Sequence, residues 1–132
     1  MKTLLIFTAV VESLTGLIFL ILPSLLVSIL LGLSVDSPVD LLLGRVAGAA
    51  LLALGVTCWL AHNDEKSRAA KGLTTAMLLY NIVVTTLLIY AGLGAHLAGA
   101  GLWPAVLIHI AMAVWYIIVL FRIKKATAIR KT

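Results

Sequence analysis

Charge is scarce in this sequence. Its 132 residues include 10 Lys or Arg and 5 Asp or Glu, 11% in all, where soluble domains carry about a quarter. Hydrophobic residues make up 63% and the mean hydropathy is +1.19. So few polar residues cannot cover an apolar core in water. The composition excludes a soluble protein and predicts one integral membrane domain over residues 1–132, with about four spans of roughly 20 residues each.

Cysteine and catalytic motifs are also nearly absent. The single Cys58 excludes an internal disulfide and a multi-cysteine metal site, and packing inside a helix is its simplest role. There is no phosphate-binding glycine loop, no His-x-x-x-His pair and no nucleophile elbow. A metal held by Glu12, His96 and His109 would require a loop to fold inward. We therefore predict no metal and no cofactor, and favour a protein that is not an enzyme.

The net charge of +5 does not indicate nucleic-acid binding, because the basic residues lie at the ends of apolar segments and form no soluble basic face. With four spans, nine of the ten fall on the same side of the membrane: Lys2, Lys66, Arg68, Lys71, Arg122, Lys124, Lys125, Arg130 and Lys131. By the positive-inside rule this predicts a multi-pass protein of the bacterial inner membrane with both termini cytoplasmic.

The apolar runs predict spans over residues 3–22, 39–61, 70–92 and 103–122. The first run lacks a small-residue cleavage site, so we interpret it as an uncleaved span rather than a signal peptide. Pro23 ends it, yet apolar residues continue beyond, too far for one helix across a core of about 30 Å. The predicted fold is all-α: a four-transmembrane-helix bundle with a short interfacial or re-entrant segment after helix 1.

Four polar residues fall at membrane depth, one in each span: Glu12, Arg45, Asn81 and His109. A charge there costs about 2.5–3.5 kcal/mol on insertion scales, so such groups usually face the bundle interior and often mark function. Each shares a helix face with small or polar neighbours, which predicts a polar seam inside the bundle. Helical rise puts Glu12 and Asn81 near mid-membrane, and Arg45 and His109 about 9 Å from the outer boundary. We predict a ligand-binding site of these four residues in the outer half.

Simpler interpretations of the same residues stay open. Arg45 lies about two turns inside the membrane, close enough for its side chain to reach the outer headgroups. Glu12 is equally consistent with a neutral acid that hydrogen-bonds a neighbouring helix, Asn81 with an interhelical hydrogen bond, and His109 with a satisfied interior histidine. The sequence alone does not choose between these interpretations and a binding site.

Small residues beside Arg45 predict close helix contact. Gly44 and Gly48 form a Gly-x-x-x-Gly pair and Gly55 lies two turns further on, so we assign all three to helix packing. The succession of Pro23, Gly32, Arg45-x-x-Gly48 and Leu54-Gly55 resembles small four-span bacterial proteins of the DoxX-like type, over about the first half of the chain. The resemblance implies a four-helix membrane bundle, in some members an accessory subunit of a quinone-linked oxidoreductase.

These observations favour an accessory or partner-binding membrane subunit, since extramembrane mass is small and catalytic motifs are missing. The expected partners are membrane lipid and either another membrane protein or a second copy of this chain. An alternative is a small proton-coupled or anion-binding carrier, in which Arg45 anchors the ligand and Glu12 or His109 carries a proton. A third is a membrane enzyme acting on a lipid or quinone, with Glu12 and His109 as acid and base.

Overall fold

A computed structural model describes residues 1–64 and 67–129, and these residues are mostly helical with no strand among them. The elements in chain order are α1 (Lys2–Ile21), α2 (Pro23–Leu31), α3 (Pro38–Ala61), α4 (Arg68–Ile89), a π-helical turn (Tyr90–Gly94) and α5 (Leu102–Ile129). Helices α1, α3, α4 with its π-helical turn, and α5 are long and apolar enough to cross a membrane. The predicted all-α fold with four transmembrane helices is confirmed.

Serine caps begin two of the spanning helices. The Ser37 hydroxyl accepts a hydrogen bond from the Asp40 backbone N–H at 3.2 Å, with Pro38 in the first turn of α3. Ser67 caps α4 in the same way, through the Ala70 N–H at 3.0 Å. Each cap satisfies a backbone donor that the first helical turn leaves unpaired.

Helices α1 and α3 touch through their backbones. A Cβ atom added at Gly48 would stand 2.7 Å from the Gly16 carbonyl oxygen, and one at Gly55 would stand 2.8 Å from the Ser13 backbone nitrogen. Gly44 meets Pro23 with similar closeness, at 2.8 Å from its Cβ. No side chain fits between helices at this separation, so glycine is what permits the contact.

The pair α1–α3 meets the pair α4–α5 through side chains instead of backbone. The residues buried between the helices include Leu4, Leu5, Cys58, Met77, Met112 and Tyr116. These large side chains hold the α1–α3 pair further from the α4–α5 pair than α1 lies from α3. This spacing leaves room for polar side chains to meet between the pairs.

Helix α2 is the segment expected after the first span, and it joins the two pairs at the end of the bundle away from Lys2. Its C-terminus is closed by Gly32, which has a left-handed φ of 73°. The Gly101 N–H donates to the Ile29 carbonyl at 2.8 Å. Gly99 lies directly against the backbone of Ile29 and Leu30. The loop before α5 thus satisfies a carbonyl at the end of α2 and fixes it in place.

The glycine contact predicts a matched pair of substitutions. Gly48→Ala forces α1 and α3 apart, and we expect a loss of about 1–3 kcal/mol of unfolding free energy. Gly72→Ala is the control because nothing lies within 4 Å of a Cβ atom there, and helix propensity favours alanine by up to about 1 kcal/mol. Denaturant titration in detergent micelles, followed by circular dichroism, measures both. Equal stability of the two variants would contradict a backbone contact between α1 and α3.

Candidate functional site

The four polar residues predicted as a site occupy different environments. Glu12 is 7% exposed and Asn81 2% exposed, while His109 is half-buried and Arg45 is exposed. The structure therefore turns three of them toward the bundle interior and leaves Arg45 on its surface.

A chain of polar contacts links three helices in the interior. Tyr80 of α4 shares a side-chain hydrogen bond with Glu12 of α1. The Tyr80 ring lies 6.1 Å, centroid to centroid, from the His109 ring of α5. His109 Nδ1 lies 2.8 Å from the Ala105 carbonyl oxygen. Because a carbonyl only accepts, Nδ1 carries the proton in that bond, and in a neutral ring Nε2 is left as the acceptor.

A second hydrogen bond joins α1 to α5 nearby. Thr8 Oγ1 and the Tyr116 hydroxyl are 2.5 Å apart, and both residues are buried. Thr8 is one helical turn before Glu12, so the same face of α1 makes both contacts with the other helix pair. The residues next to them in the chain, Phe7 and Trp115, also bring their rings together, with centroids 6.0 Å apart.

Asn81 is satisfied within its own helix. Its side-chain amide nitrogen donates to the Met77 backbone carbonyl at 2.7 Å, and the Thr85 hydroxyl donates to the backbone carbonyl of Asn81 at 2.7 Å. We expected this side chain to hydrogen-bond a neighbouring helix, but the bond from its amide nitrogen stays within α4. The Met77 carbonyl lies one turn back, within reach of a short polar side chain. Among the described residues, no buried side-chain nitrogen or oxygen lacks a hydrogen-bond partner.

Arg45 stands apart from this interior. Gly44 and Gly48 occupy the line of α3 that meets α1, and a rotation of about 100° per residue turns Arg45 away from Gly44. Side chains lean toward the N-terminus of their own helix, which for Arg45 is the end capped by Ser37. This geometry favours the headgroup interpretation of Arg45. It does not bring the guanidinium to the interior contacts of Glu12 and His109.

The three possible metal ligands in the sequence, Glu12, His96 and His109, do not form a metal site either. His96 is exposed in the loop after the π-helical turn, with a left-handed φ of 55°. Within residues 1–64 and 67–129, no group of three His, Cys, Asp or Glu is arranged to hold a metal ion.

The outward face of α3 is rich in small side chains near its middle, and it carries large ones toward its ends, such as Leu42, Leu43 and Leu60. Near its middle the exposed residues are mostly small, namely Ala47, Ala49, Ala50, Ala53 and Thr57, with Val46 and Val56 as the two larger ones. Large side chains dominate the outward faces of the other three spans, for example Phe7, Leu14, Ile21, Leu79, Ile82, Leu87, Leu107, Val114 and Phe121. Lipid tails solvate either kind of surface, but only small residues let another helix come close. We name Ala49, Ala50, Ala53 and Thr57 the alanine face.

Two apolar grooves also open on the outer surface. One, of about 330 Å³, lies between α1 and α3 and is lined by Ala9, Val10, Ser13, Leu14, Val56 and Trp59. The other, of about 430 Å³, lies between α4 and α5 and is lined by Leu78, Ile117, Leu120, Phe121 and Lys124. Neither groove is lined by any of the four predicted site residues.

Tyr80 is the interior residue that the sequence interpretation missed. A spacing of four residues places Met77, Asn81 and Thr85 on one face of α4. Tyr80 comes one residue before Asn81, so it lies about 100° around the helix from that face. A usable signal was present, because a tyrosine hydroxyl at membrane depth needs a hydrogen-bond partner. The buried Glu12 supplies that partner from α1.

The fold and these contacts define a helical protein with four membrane-spanning helices, in which the buried polar side chains of the described residues are hydrogen-bonded. Comparisons with protein families, characterised proteins and solved structures find no match to this chain.

The Thr8–Tyr116 bond predicts a measurable coupling. Hydrogen bonds between membrane helices contribute about 0.6 kcal/mol on average and up to about 1.7 kcal/mol. We expect Tyr116→Phe and Thr8→Val each to lose stability in this range, and the double variant to lose less than their sum. Unfolding in micelles measures the cycle. Thr86→Val is the control, since Thr86 is exposed and bonds its own helix at Ile82. Strict additivity of the two losses would rule out the bond.

Proposed function

We propose that this protein is an accessory, partner-binding subunit of the bacterial inner membrane, with both termini cytoplasmic. The alanine face of α3 receives a transmembrane helix of the partner. We also propose that the resemblance of the sequence to DoxX-like proteins reflects this role, because some members of that group serve as subunits of larger membrane assemblies.

The observation that carries this proposal is the exposure of the alanine face. Helices associate in lipid through van der Waals packing of small residues, because lipid tails are as apolar as leucine and give no hydrophobic driving force. Inside the protein, the same chemistry already joins α1 to α3 at Gly16 and Gly48. An exposed small-residue surface on α3 supports a second contact of that kind, with a helix from outside.

The proposed orientation rests on charge. Apart from Arg45, the basic residues of the described chain lie near one end of the bundle, where α1 and α4 begin and α5 ends. They are Lys2, Arg68, Lys71, Arg122, Lys124 and Lys125. Lys66, Arg130 and Lys131, counted in the sequence, lie outside the described residues. The bias in lysine and arginine supports that end as the cytoplasmic one.

The test enlarges the alanine face without touching the interior. We expect Ala53→Leu to remove a copurifying membrane protein when the tagged chain is isolated in mild detergent and its partners are identified by mass spectrometry. The added side chain holds the partner helix away. Ala111→Leu makes the same change on the exposed surface of α5 and should retain the partner.

Two results would contradict the proposal. One is a chain that purifies alone and monodisperse from native membranes. The other is equal partner recovery with Ala53→Leu and Ala111→Leu. A complex containing only this chain, lost with Ala53→Leu, would identify the partner helix as α3 of a second copy.

A second candidate, a small proton-linked carrier, is favoured by the Glu12–Tyr80–His109 contacts. Glu12 is an acid buried in the bundle, and His109 is an imidazole whose ring nitrogens can accept and donate a proton. The carrier interpretation in which Arg45 anchors an anion would also require that exposed side chain to turn inward. For this reason we place the carrier second.

The carrier predicts a flux that depends on Glu12. In proteoliposomes with an imposed pH gradient, Glu12→Gln should abolish protein-dependent proton movement because the amide cannot bind and release the proton. Asp36→Asn is the control, since Asp36 is an exposed acid in the loop before α3. Equal flux for Glu12→Gln and the unchanged protein would dismiss the carrier and leave the partner-binding proposal untouched.

A further inference from the structure

The groove between α4 and α5 has a basic mouth. Its lining is Leu78 from α4, and Ile117, Leu120 and Phe121 from α5, with Lys124 at one end. Phe121 is 68% exposed, so the groove faces outward to the surroundings of the bundle and not into the polar interior. A groove that is apolar along its length and ends at an ammonium group matches an anionic lipid, which has an apolar chain and a charged headgroup.

A second lysine stands at the same end. Lys71 precedes Leu78 by seven residues on α4, and Lys124 follows Ile117 by seven on α5. Seven residues make nearly two full turns, so each lysine lies on the same side of its helix as its groove residue, about 10 Å further along. The two helices pack as an antiparallel pair, with Gly92 of the α4 end against Leu102 and Trp103. Both lysines therefore border the basic end of the groove.

From this arrangement we propose that the α4–α5 groove binds an anionic phospholipid of the leaflet on the basic side. Lys124 and Lys71 hold the phosphate, and one acyl chain lies along Leu78, Ile117 and Phe121. Basic pockets between membrane helices bind acidic headgroups, and a lysine near the surface adds about fivefold in affinity for an anionic lipid. This site is independent of the partner proposed for α3.

The dimensions select a lipid over other occupants. The distance of about 10 Å from lysine to groove residue fits within one leaflet, half of a hydrocarbon core of about 30 Å. A helix about 10 Å wide with its side chains does not fit a groove of 430 Å³. A free phosphate ion would contact the lysines and leave the apolar groove unused.

The test compares lipids on the full-length protein. Purified protein in detergent is titrated with phosphatidylglycerol and with phosphatidylcholine of the same acyl chains, and binding is counted by native mass spectrometry. We expect phosphatidylglycerol to bind more tightly. Lys124→Gln and Lys71→Gln should each lower its affinity about fivefold. Lys125→Gln removes the same charge from an exposed neighbour about 100° around α5 and should have little effect.

A second arm tests the groove itself. Ile117→Trp fills it, whereas Ile118→Trp adds the same bulk to another face of α5, and the two isoleucines are similarly exposed at 38% and 44%. We expect Ile117→Trp alone to weaken phosphatidylglycerol binding, with circular dichroism confirming that both variants remain folded. Equal losses with Lys124→Gln and Lys125→Gln would indicate diffuse surface charge and overturn the proposal. Equal affinity for the two lipids, or equal effects of the two tryptophans, would overturn it as well.

Discussion

The close approach of α1 to α3 is the constraint on which the other contacts depend. Gly16, Gly48 and Gly55 bring the two backbones together, which is the packing that membrane helices can use without a hydrophobic driving force. With one side of α1 fixed on α3, the neighbouring face that carries Thr8 and Glu12 points to α4 and α5. Those polar groups then find hydrogen-bond partners at Tyr116 and Tyr80.

The bundle thus uses two kinds of contact for two purposes. Within the α1–α3 pair the backbones touch, and a methyl group is already too large at Gly48. Between the pairs, larger apolar side chains set the spacing and a few hydrogen bonds set the register. A buried polar group without a partner is costly in lipid, so each such bond disfavours every arrangement that would break it. A third kind of contact lies at the end of the bundle away from Lys2, where the Gly101 N–H before α5 donates to the Ile29 carbonyl of α2.

The sequence was enough for the fold because hydropathy and helix period are local properties. Apolar run lengths predicted four spanning helices, and Pro23 marked the short segment that became α2. The direction of Arg45 was not predictable, since it depends on which line of α3 meets α1, and that is a tertiary property. Tyr80 was missed for a related reason: its partner Glu12 lies 68 positions earlier in the chain, and a spacing rule within one helix does not reach across helices.

The central claim is that α3 offers its alanine face to a helix from outside the chain. Site-directed cross-linking in native membranes tests it most directly, with buried Cys58 replaced by alanine and a single cysteine introduced by Ala53→Cys. The account predicts a specific cross-linked band of higher mass for Ala53→Cys and none for Ala111→Cys on α5. Labelling of both cysteines without a cross-link from Ala53→Cys, or the same bands from both positions, would contradict it.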